Sequence, residues 1–308
     1  MGLLIDYRMQ KSQVHFAIAD FRGKILAIAW GNLYNVTIMS VEPLKPHRKP
    51  FPWRWILFGL AVLLTAVWLT LTPDGLLGKA HAVGYAVCHQ ISERSFQIFG
   101  QSMPLCARCS GMFAGAMLGL VYQIAQGRKG KMPPLWVMLL LGLMALAWAL
   151  DGTNSFTMLI PGIDSVYQTR NWTRLVTGTG MGLALSAILL PSFVQTVFIH
   201  WEEESALGNW KQVLGLLAGA AILDILILLE IPWILYPIAL ISSAGVLVLL
   251  TMVYTMVLVM LTRKDNTFVK LPFLLNHLIG GYIIALIQIG VIDILRYLWT
   301  GTWAGFVL

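Results

Sequence analysis

Long stretches without any charged residue alternate with short polar segments along most of this chain. Residues 56–72, 135–150 and 232–262 contain no Asp, Glu, Lys or Arg. A helix needs roughly 20 apolar residues to cross the hydrocarbon core of a bilayer, within a range of about 17–25. The pattern therefore predicts an all-α fold, a polytopic transmembrane helix bundle. Its seven predicted spans are residues 55–72, 110–126, 135–151, 174–198, 213–230, 233–261 and 273–299.

A proline and several small residues indicate how these spans pack. Spans five and six are separated only by residues 230–233, and Pro232 disfavours helix at the preceding residue, so a tight helical hairpin is predicted there. Glycines that recur every four residues let helix backbones approach closely and predict packing seams. They are Gly111, Gly115 and Gly119 in span two and Gly178 and Gly182 in span four.

The first 54 residues differ in character from the rest. They carry eight Lys/Arg residues and no apolar run long enough for a signal peptide or a span. Three interpretations stay open: a small hairpin within residues 15–28, a disordered segment, or translated upstream sequence with the true start at Met39. The predicted division is a cytoplasmic N-terminal segment, residues 1–54, followed by a transmembrane domain, residues 55–308.

Composition supports the membrane class and predicts an orientation. The chain is 58% hydrophobic and only 11% charged, whereas a soluble domain is about 25% charged. The net charge of +7 does not indicate nucleic-acid binding, because no basic stripe is interleaved with aromatic residues; the predicted partner is the lipid bilayer. With the N-terminus inside, the cytoplasmic segments hold fifteen Lys/Arg residues and the opposite side six. This bias predicts a multi-pass protein of the cell membrane with a cytoplasmic N-terminus.

That orientation places the chemically distinctive residues on the outer side. The outward loop, residues 73–109, contains all three cysteines of the chain. Asp151 falls at the outer end of span three, where it is predicted to be either a functional carboxylate or a helix cap. Asp293 and Arg296 are three residues apart on one helical face near the outer end of span seven. They are predicted to form a structural ion pair.

The cysteines and a neighbouring histidine form a predicted metal site. Cys88-His89 is followed by Cys106-x-x-Cys109, so three sulfurs and one nitrogen lie within 22 residues. A structural zinc ion takes four Cys/His ligands in a tetrahedron. Zinc is the predicted cofactor, with iron as the other candidate. His89 is the weakest of the four ligands, because adjacent residues rarely bind one ion together, and His81 is its substitute.

Two other interpretations of the cysteines and one alternative function based on other residues stay open. Cys106 and Cys109 begin span two, where a helix N-terminus and Arg108 would lower a thiol pKa, which is typical of a membrane thiol–disulfide oxidoreductase. The cysteines could instead be small apolar core residues. A transporter would use acidic residues within the spans, since such residues usually mark a pathway or a site. These are Asp224, Glu230 and Asp293.

Several motifs make the sequence resemble a known family of prokaryotic predicted membrane proteins, domain of unknown function 2085. They are Cys-His-Gln-Ile-Ser-Glu-Arg-Ser-Phe at 88–96, Leu-Cys-Ala-Arg-Cys-Ser-Gly at 105–111, Asp151-Gly152, and Asn171-x-x-Arg174 followed by Thr177-Gly178. Ser92 and Ser110 stand where the family pattern usually has Pro and Thr. The resemblance covers roughly residues 75–190 and implies no activity.

What the resemblance implies is a set of residues that belong together. Besides the four predicted ligands, the set contains Glu93, Arg94, Arg108, Asp151, Asn171 and Arg174. Short connections make consecutive spans neighbours, so the ends that carry Cys109, Asp151 and Arg174 are expected to gather in one outer pocket. There the arginines would offset thiolates and carboxylates that could not otherwise stay charged near hydrocarbon.

Overall fold

A computed structural model describes most of the chain and divides it into two compact units, Met1–Phe51 and Pro52–Leu308. In the first unit, β1 (Phe16–Ala19) and β2 (Ile25–Ile28) pair antiparallel, which agrees with the hairpin interpretation of this segment. The cytoplasmic location of the segment remains a prediction. The described residues are 16–19, 25–28, 53–158, 160 and 165–306.

The second unit is an all-α helix bundle, as the apolar pattern predicts. Within its described residues there are eight α-helices, and six of them (α1 and α4 to α8) are long and apolar enough to cross a membrane. The helices are α1 (Trp53–Leu71), α2 (Gly75–Val87), α3 (Ala107–Ile124), α4 (Leu135–Thr157), α5 (Asn171–Val197), α6 (Trp210–Leu228), α7 (Pro232–Leu261) and α8 (Leu271–Thr300).

The predicted second span corresponds to α3, which differs from the other spans in composition and position. It begins three residues earlier than predicted and includes Arg108 near its start and Gln123 near its end, which lower its apolar content. It packs most extensively on α5 and also contacts α6 and α7. Because other helices surround it, much of its surface meets protein instead of lipid, and a lower apolar content costs little there.

The glycine pattern of α3 and α5 produces an unusually close, parallel contact. A β-carbon at Gly115 would lie 2.9 Å from the carbonyl oxygen of Thr179, and one at Gly178 would overlap the carbonyl oxygen of Arg108. Only glycine lets two backbones approach so closely. The predicted packing seam is thus present, and it fixes the start of α3 against the start of α5.

The helices alternate in direction, so their connections divide between two ends of the bundle. At one end, named here the loop end, residues 125–134, 198–209 and 262–270 contact one another, for example through the Lys129–Glu204 ion pair at 2.9 Å. The other end, named here the cysteine end, contains the starts of α3, α5 and α7 and the ends of α4, α6 and α8. All three cysteines lie there.

The connection between α6 and α7 is the tight helical hairpin that the sequence predicts. It consists of residues 229–231, and Glu230 adopts a φ of 50° at its centre. Ile231 is extended, with φ −76° and ψ 116°, as expected for the residue before a proline. Pro232 then occupies the first turn of α7, where its missing N–H removes no helical hydrogen bond.

Candidate metal centre

Two helix ends bring the cysteines together. Cys88 ends α2, where its N–H donates to the carbonyl of Gly84 at 2.8 Å. Cys106 is the residue immediately before α3, and Cys109 lies in the first turn of that helix. A Cys-x-x-Cys pair at a helix start points both thiols to the same side, because residues three apart share a helical face. The loop between α2 and α3 then only has to return Cys88 to that face.

Two of the three thiols and one imidazole converge to the separation that a shared ion requires, and the predicted ligand Cys109 falls outside this group. The candidate ligand atoms of Cys88, His89 and Cys106 all lie within 4.8 Å of one another. The Cys106 N–H donates to the sulfur of Cys88 at 3.3 Å, and the Cys109 thiol is within hydrogen-bonding reach of both other thiols. Cys106 is 2% exposed. All three cysteines are free, and none forms a disulfide.

The loop that carries Cys88 is folded by its own contacts. It contains a 3-10 turn, Ser92–Arg94, and the short antiparallel strands β3 (Gln97–Ile98) and β4 (Gln101–Ser102). Gln90 donates to the carbonyl oxygens of His81 and Pro104, at 2.9 and 2.7 Å. Three apolar residues of the loop are fully buried, and this burial anchors it to the helices. They are Ile98, Met103 and Leu105.

Arg296 of α8 holds the same loop, which corrects the predicted Asp293–Arg296 ion pair. Its Nη1 donates to the carbonyl oxygens of Tyr85 and Cys88, both at 2.6 Å, and its Nη2 to that of His89 at 3.3 Å. Among the described residues the ion pairs do not include Asp293, whose carboxylate accepts instead from Trp68 at 3.3 Å. The guanidinium reaches three carbonyls at the end of α2, and these satisfy its fork better than one carboxylate on its own helix.

Hydrogen bonding concentrates negative charge on one of the three sulfurs. Hydrogen bonds from Cys109 and Cys88 lower the pKa of Cys106 well below its ordinary value of 9.0, against the opposing effect of burial. The hydrogen bond to Cys106 also raises the pKa of Cys88 to about 12, and burial acts in the same direction. Without a metal, Cys106 is therefore the sulfur whose deprotonation the cluster favours, and Cys88 is the sulfur that keeps its proton more readily. A bound cation would displace the remaining protons.

His89 lies beside the sulfur of Cys106, and the orientation of its imidazole makes it a weaker metal ligand. It donates a hydrogen bond to Cys106, while its Nδ1 accepts from the N–H of Ile91 at 2.9 Å. A neutral imidazole with an acceptor at Nδ1 carries its proton at Nε2. Metal binding at Nε2 would move that proton to Nδ1, towards the Ile91 N–H. His81, the predicted substitute, does not belong to the group of candidate ligands formed by Cys88, His89 and Cys106.

A second group of polar side chains adjoins the cysteines at the starts of α3 and α5. Arg108 forms an ion pair with Asp151 of α4 and donates to Ser155 at 2.8 Å. Tyr167 donates to the other carboxylate oxygen of Asp151 at 2.9 Å. Asp151 is only 2% exposed. It is therefore an internal counter-charge for Arg108. The predicted alternative of a helix cap is wrong, because α4 continues past Asp151 to Thr157.

The remaining residues of the predicted set continue this group across α5. Arg174 donates to the side-chain oxygen of Asn171 at 2.9 Å, and Asn171 donates in turn to the backbone oxygen of Glu93 at 3.3 Å. The charge of Cys106 acts on both Arg94 and Arg174. Glu93 accepts this hydrogen bond with its backbone, and the charge of its exposed side chain acts on Arg94. The predicted residues are thus neighbours, although their functional roles remain predictions.

The three acidic residues of the transporter hypothesis lie in separate places. Asp224 accepts from Thr179 at 2.6 Å, on the interface between α5 and α6. Asp293 lies between α1 and α8 beside Trp68, and Glu230 is exposed in the α6–α7 turn. No described contact joins them into one group. The transporter hypothesis remains a prediction without a common site.

The fold and composition define a polytopic α-helical membrane protein, and comparisons with known proteins place it in a family. The family model of predicted membrane proteins (DUF2085) matches residues 88–188. The uncharacterised protein MJ1492 of Methanocaldococcus jannaschii is 32% identical over 120 residues, which are 38% of this chain and 70% of that protein. The chain belongs to the DUF2085 family.

A second relative is similar over a segment of comparable length. An uncharacterised protein of Methanothermobacter thermautotrophicus is 28% identical over 102 residues, which are 33% of this chain and 83% of that protein. No solved structure shows a significant match. The family match begins at Cys88 and ends within α5, so it contains all the cysteines and the whole polar group. Arg296, Asp224 and Asp293 lie outside it.

Proposed function

We propose that this membrane protein binds one zinc ion with the sulfurs of Cys88, Cys106 and Cys109 and the imidazole of His89. The observation that carries the proposal is the convergence of the candidate ligand atoms of Cys88, His89 and Cys106 to within 4.8 Å. Cys109, one helical turn after Cys106, is proposed as the fourth ligand and lies outside that group. A tetrahedral zinc ion with sulfur at about 2.3 Å separates its sulfur ligands by about 3.8 Å. A small contraction of the cluster would therefore suffice.

Burial and ligand type favour zinc in a structural role. Cys88 and Cys106 are buried, and a closed set of four protein ligands is typical of structural zinc. Three thiolates and a divalent ion carry a net charge of −1, which needs compensation in a buried site. Arg94 and Arg174 supply positive charge next to the cluster. The site would then join α2 to α3 and fix the loop between them.

Elemental analysis of the purified protein tests this proposal directly. We expect about one zinc per chain in protein purified without chelator, because four converging soft ligands retain zinc strongly. The measurement is plasma mass spectrometry of the protein before and after equilibration with zinc, followed by removal of free metal. Iron at the same stoichiometry would keep the site and change the ion. Protein that contains no metal after both treatments would contradict the proposal.

The lowered pKa of Cys106 favours a second candidate, thiol–disulfide exchange. If the α2–α3 loop opened and exposed Cys106, its sulfur could attack the disulfide of a partner protein, and Cys109 would then resolve the mixed disulfide. This candidate requires the thiols to cycle between free and paired states in metal-free protein. Trapping a mixed disulfide with the Cys109→Ser variant would support it against the metal proposal.

We infer further that the cysteine end faces away from the cytoplasm. The charge bias supports this orientation, and so does the burial of arginines at the cysteine end. Arg108 and Arg174 contact internal groups, and Arg94 is buried beside them. The basic residues of the loop end lie in the connecting segments, where cytoplasmic basic residues usually occur.

Single added cysteines at the two ends test this orientation. Gln101 at the cysteine end and Asp265 at the loop end are both exposed, whereas Cys88 and Cys106 are buried and react slowly. We expect a membrane-impermeant maleimide to label the Gln101→Cys variant in intact cells above the parent protein. The Asp265→Cys variant should gain label only after lysis. The reverse pattern would place the cysteine end in the cytoplasm.

A further inference from the structure

Three arginines near the starts of α3 and α5 bring more positive charge together than ion pairs balance among the described residues. The charge of Cys106 acts on Arg94 and Arg174, and that of Glu93 acts on Arg94, without an ion pair. Arg94, Arg108 and Arg174 act on one another electrostatically. Arg94 is 8% exposed and Arg174 is 6% exposed. Asp151 is the only carboxylate that forms an ion pair with any of the three among the described residues. Buried charges are costly unless they are paired.

The hydrogen bonds of these arginines leave several donors without acceptors. Arg108 uses its Nη2 on Asp151 and Ser155, but its buried Nε has no partner. Arg174 has one acceptor, the neutral oxygen of Asn171, and its Nε is also buried without a partner. In the described part of the chain, no acceptor is found for the guanidinium of Arg94. Buried guanidinium donors normally find acceptors, so the group is incomplete by itself.

The helices add to the same field. The contacts along their glycine seam show that α3 and α5 run parallel and begin together at this place. Each helix N-terminus contributes a partial positive charge and free backbone N–H groups, which favour anions. Two such termini and three guanidinium groups converge next to the exposed residues Glu93 and Arg170. The electropositive group therefore lies just beneath the surface of the cysteine end.

We infer that a phosphate group binds between Arg94 and Arg174, beside the cysteine cluster. Guanidinium forks bind phosphate oxygens in pairs, and a phosphate has enough oxygens to accept from both arginines and from Asn171. The phosphate belongs either to a lipid headgroup or to a soluble phosphate compound. The phosphate site shares no residue with the proposed zinc ligands, so the inference does not rest on the proposed function.

Titration of the purified protein with inorganic phosphate tests the site. We expect saturable binding by calorimetry in non-ionic detergent, and a Tm that rises with phosphate concentration. A parallel titration uses phosphatidic acid in the same detergent. Binding of inorganic phosphate alone would indicate a soluble compound, and binding of phosphatidic acid alone a lipid headgroup. Either result supports the site, and binding of neither overturns it.

Matched arginine variants locate the binding. Arg94→Gln and Arg174→Gln should each weaken phosphate affinity about 10- to 100-fold, because each removes hydrogen bonds to a charged group. Arg170→Gln removes the same charge from an exposed neighbour and should change the affinity less than about twofold. Equal losses in all three variants would mean a diffuse charge effect and would overturn the site. Should Arg94→Gln not fold, Arg94→Lys keeps the charge, loses the fork, and should still weaken binding.

Asp164 provides a separate check on the charge balance. It is a carboxylate in the connection between α4 and α5, and it lies outside the described residues. The Asp164→Asn variant should bind phosphate with the affinity of the parent protein. If phosphate bound only after this replacement, Asp164 would be the missing counter-charge and the inference would be wrong. The zinc content of every variant is measured in parallel after saturation with zinc, so failure of the phosphate site is distinguishable from failure of the metal site.

Discussion

Replacing Cys106 by serine is expected to abolish metal binding. Cys106 is the most buried of the three thiols, and its sulfur is the point on which the other three side chains converge. Serine is a poor zinc ligand, and its buried hydroxyl would leave the other thiols without their thiolate partner. Loss of residues that only orient a ligand lowers metal affinity about 10- to 100-fold. Loss of this ligand should exceed that range, as measured by competition with a chromophoric chelator.

A graded series makes this result specific. Cys88→Ser should lose affinity as strongly as Cys106→Ser. His89→Ala should lose less, about 10- to 100-fold, because His89 must give up its Ile91 hydrogen bond to bind the ion. Ser92→Ala lies on the same loop, is exposed, and should bind zinc like the parent protein. A Cys106→Ser protein that is folded and still holds zinc would show that the ion binds elsewhere.

The sequence predicts the approach of Cys88, His89 and Cys106 because most of its geometry is local. Cys106 and Cys109 share a helical face at a predictable helix start, and Cys88 lies only 18 residues earlier. The alternating directions of the predicted spans also bring Asp151 and Arg174 to the same end. What the sequence could not show was the pairing within that group. Tyr167 lies in a connection without a pattern, and its contact with Asp151 depends on how that connection folds.

Arg296 illustrates a different limit. Its partners are backbone oxygens of residues about 210 positions away in sequence, and a backbone acceptor leaves no signature in residue types. The spacing to Asp293 on one helical face instead indicated an ion pair. That spacing permits an ion pair between the two side chains, but in the folded protein Arg296 donates to backbone oxygens instead. The family match also excludes Arg296, so this support of the loop is a feature of the chain beyond the matched segment.

The composition of α3 shows why hydropathy alone is an incomplete guide to a bundle. Its glycines and Arg108 lower its apolar content, yet the same residues make its main contacts with the other helices. The glycines permit the close contact with α5, and this contact fixes Arg108 next to Asp151. A helix at the centre of a bundle is selected for packing and for polar contacts. A helix at the periphery, such as α1, is selected for contact with lipid, and it has only Ala61 buried.

Replacing Asp151 by leucine is expected to destabilise the protein by about 3–5 kcal/mol, because it leaves the Arg108 guanidinium buried without its counter-charge. Asp151 is 2% exposed and accepts from both Arg108 and Tyr167. Leucine is branched at the same carbon and is larger than aspartate, so the loss would not come from a cavity. Repulsion from the neighbouring Arg94 would add to the cost. The measurement is the free energy of unfolding in mixed micelles.

Two further variants separate the ion pair from a general packing defect. Tyr167→Phe removes one hydrogen bond to Asp151 and should cost about 1.5–3 kcal/mol, less than the loss of the carboxylate. Replacing Arg108 by methionine in the Asp151→Leu background should restore most of the stability, because buried ion pairs often exchange for apolar pairs at little cost. If the double variant were less stable than Asp151→Leu, Arg108 would have another essential partner. The cysteine cluster or the inferred phosphate would then be that partner, since both adjoin the same guanidinium group.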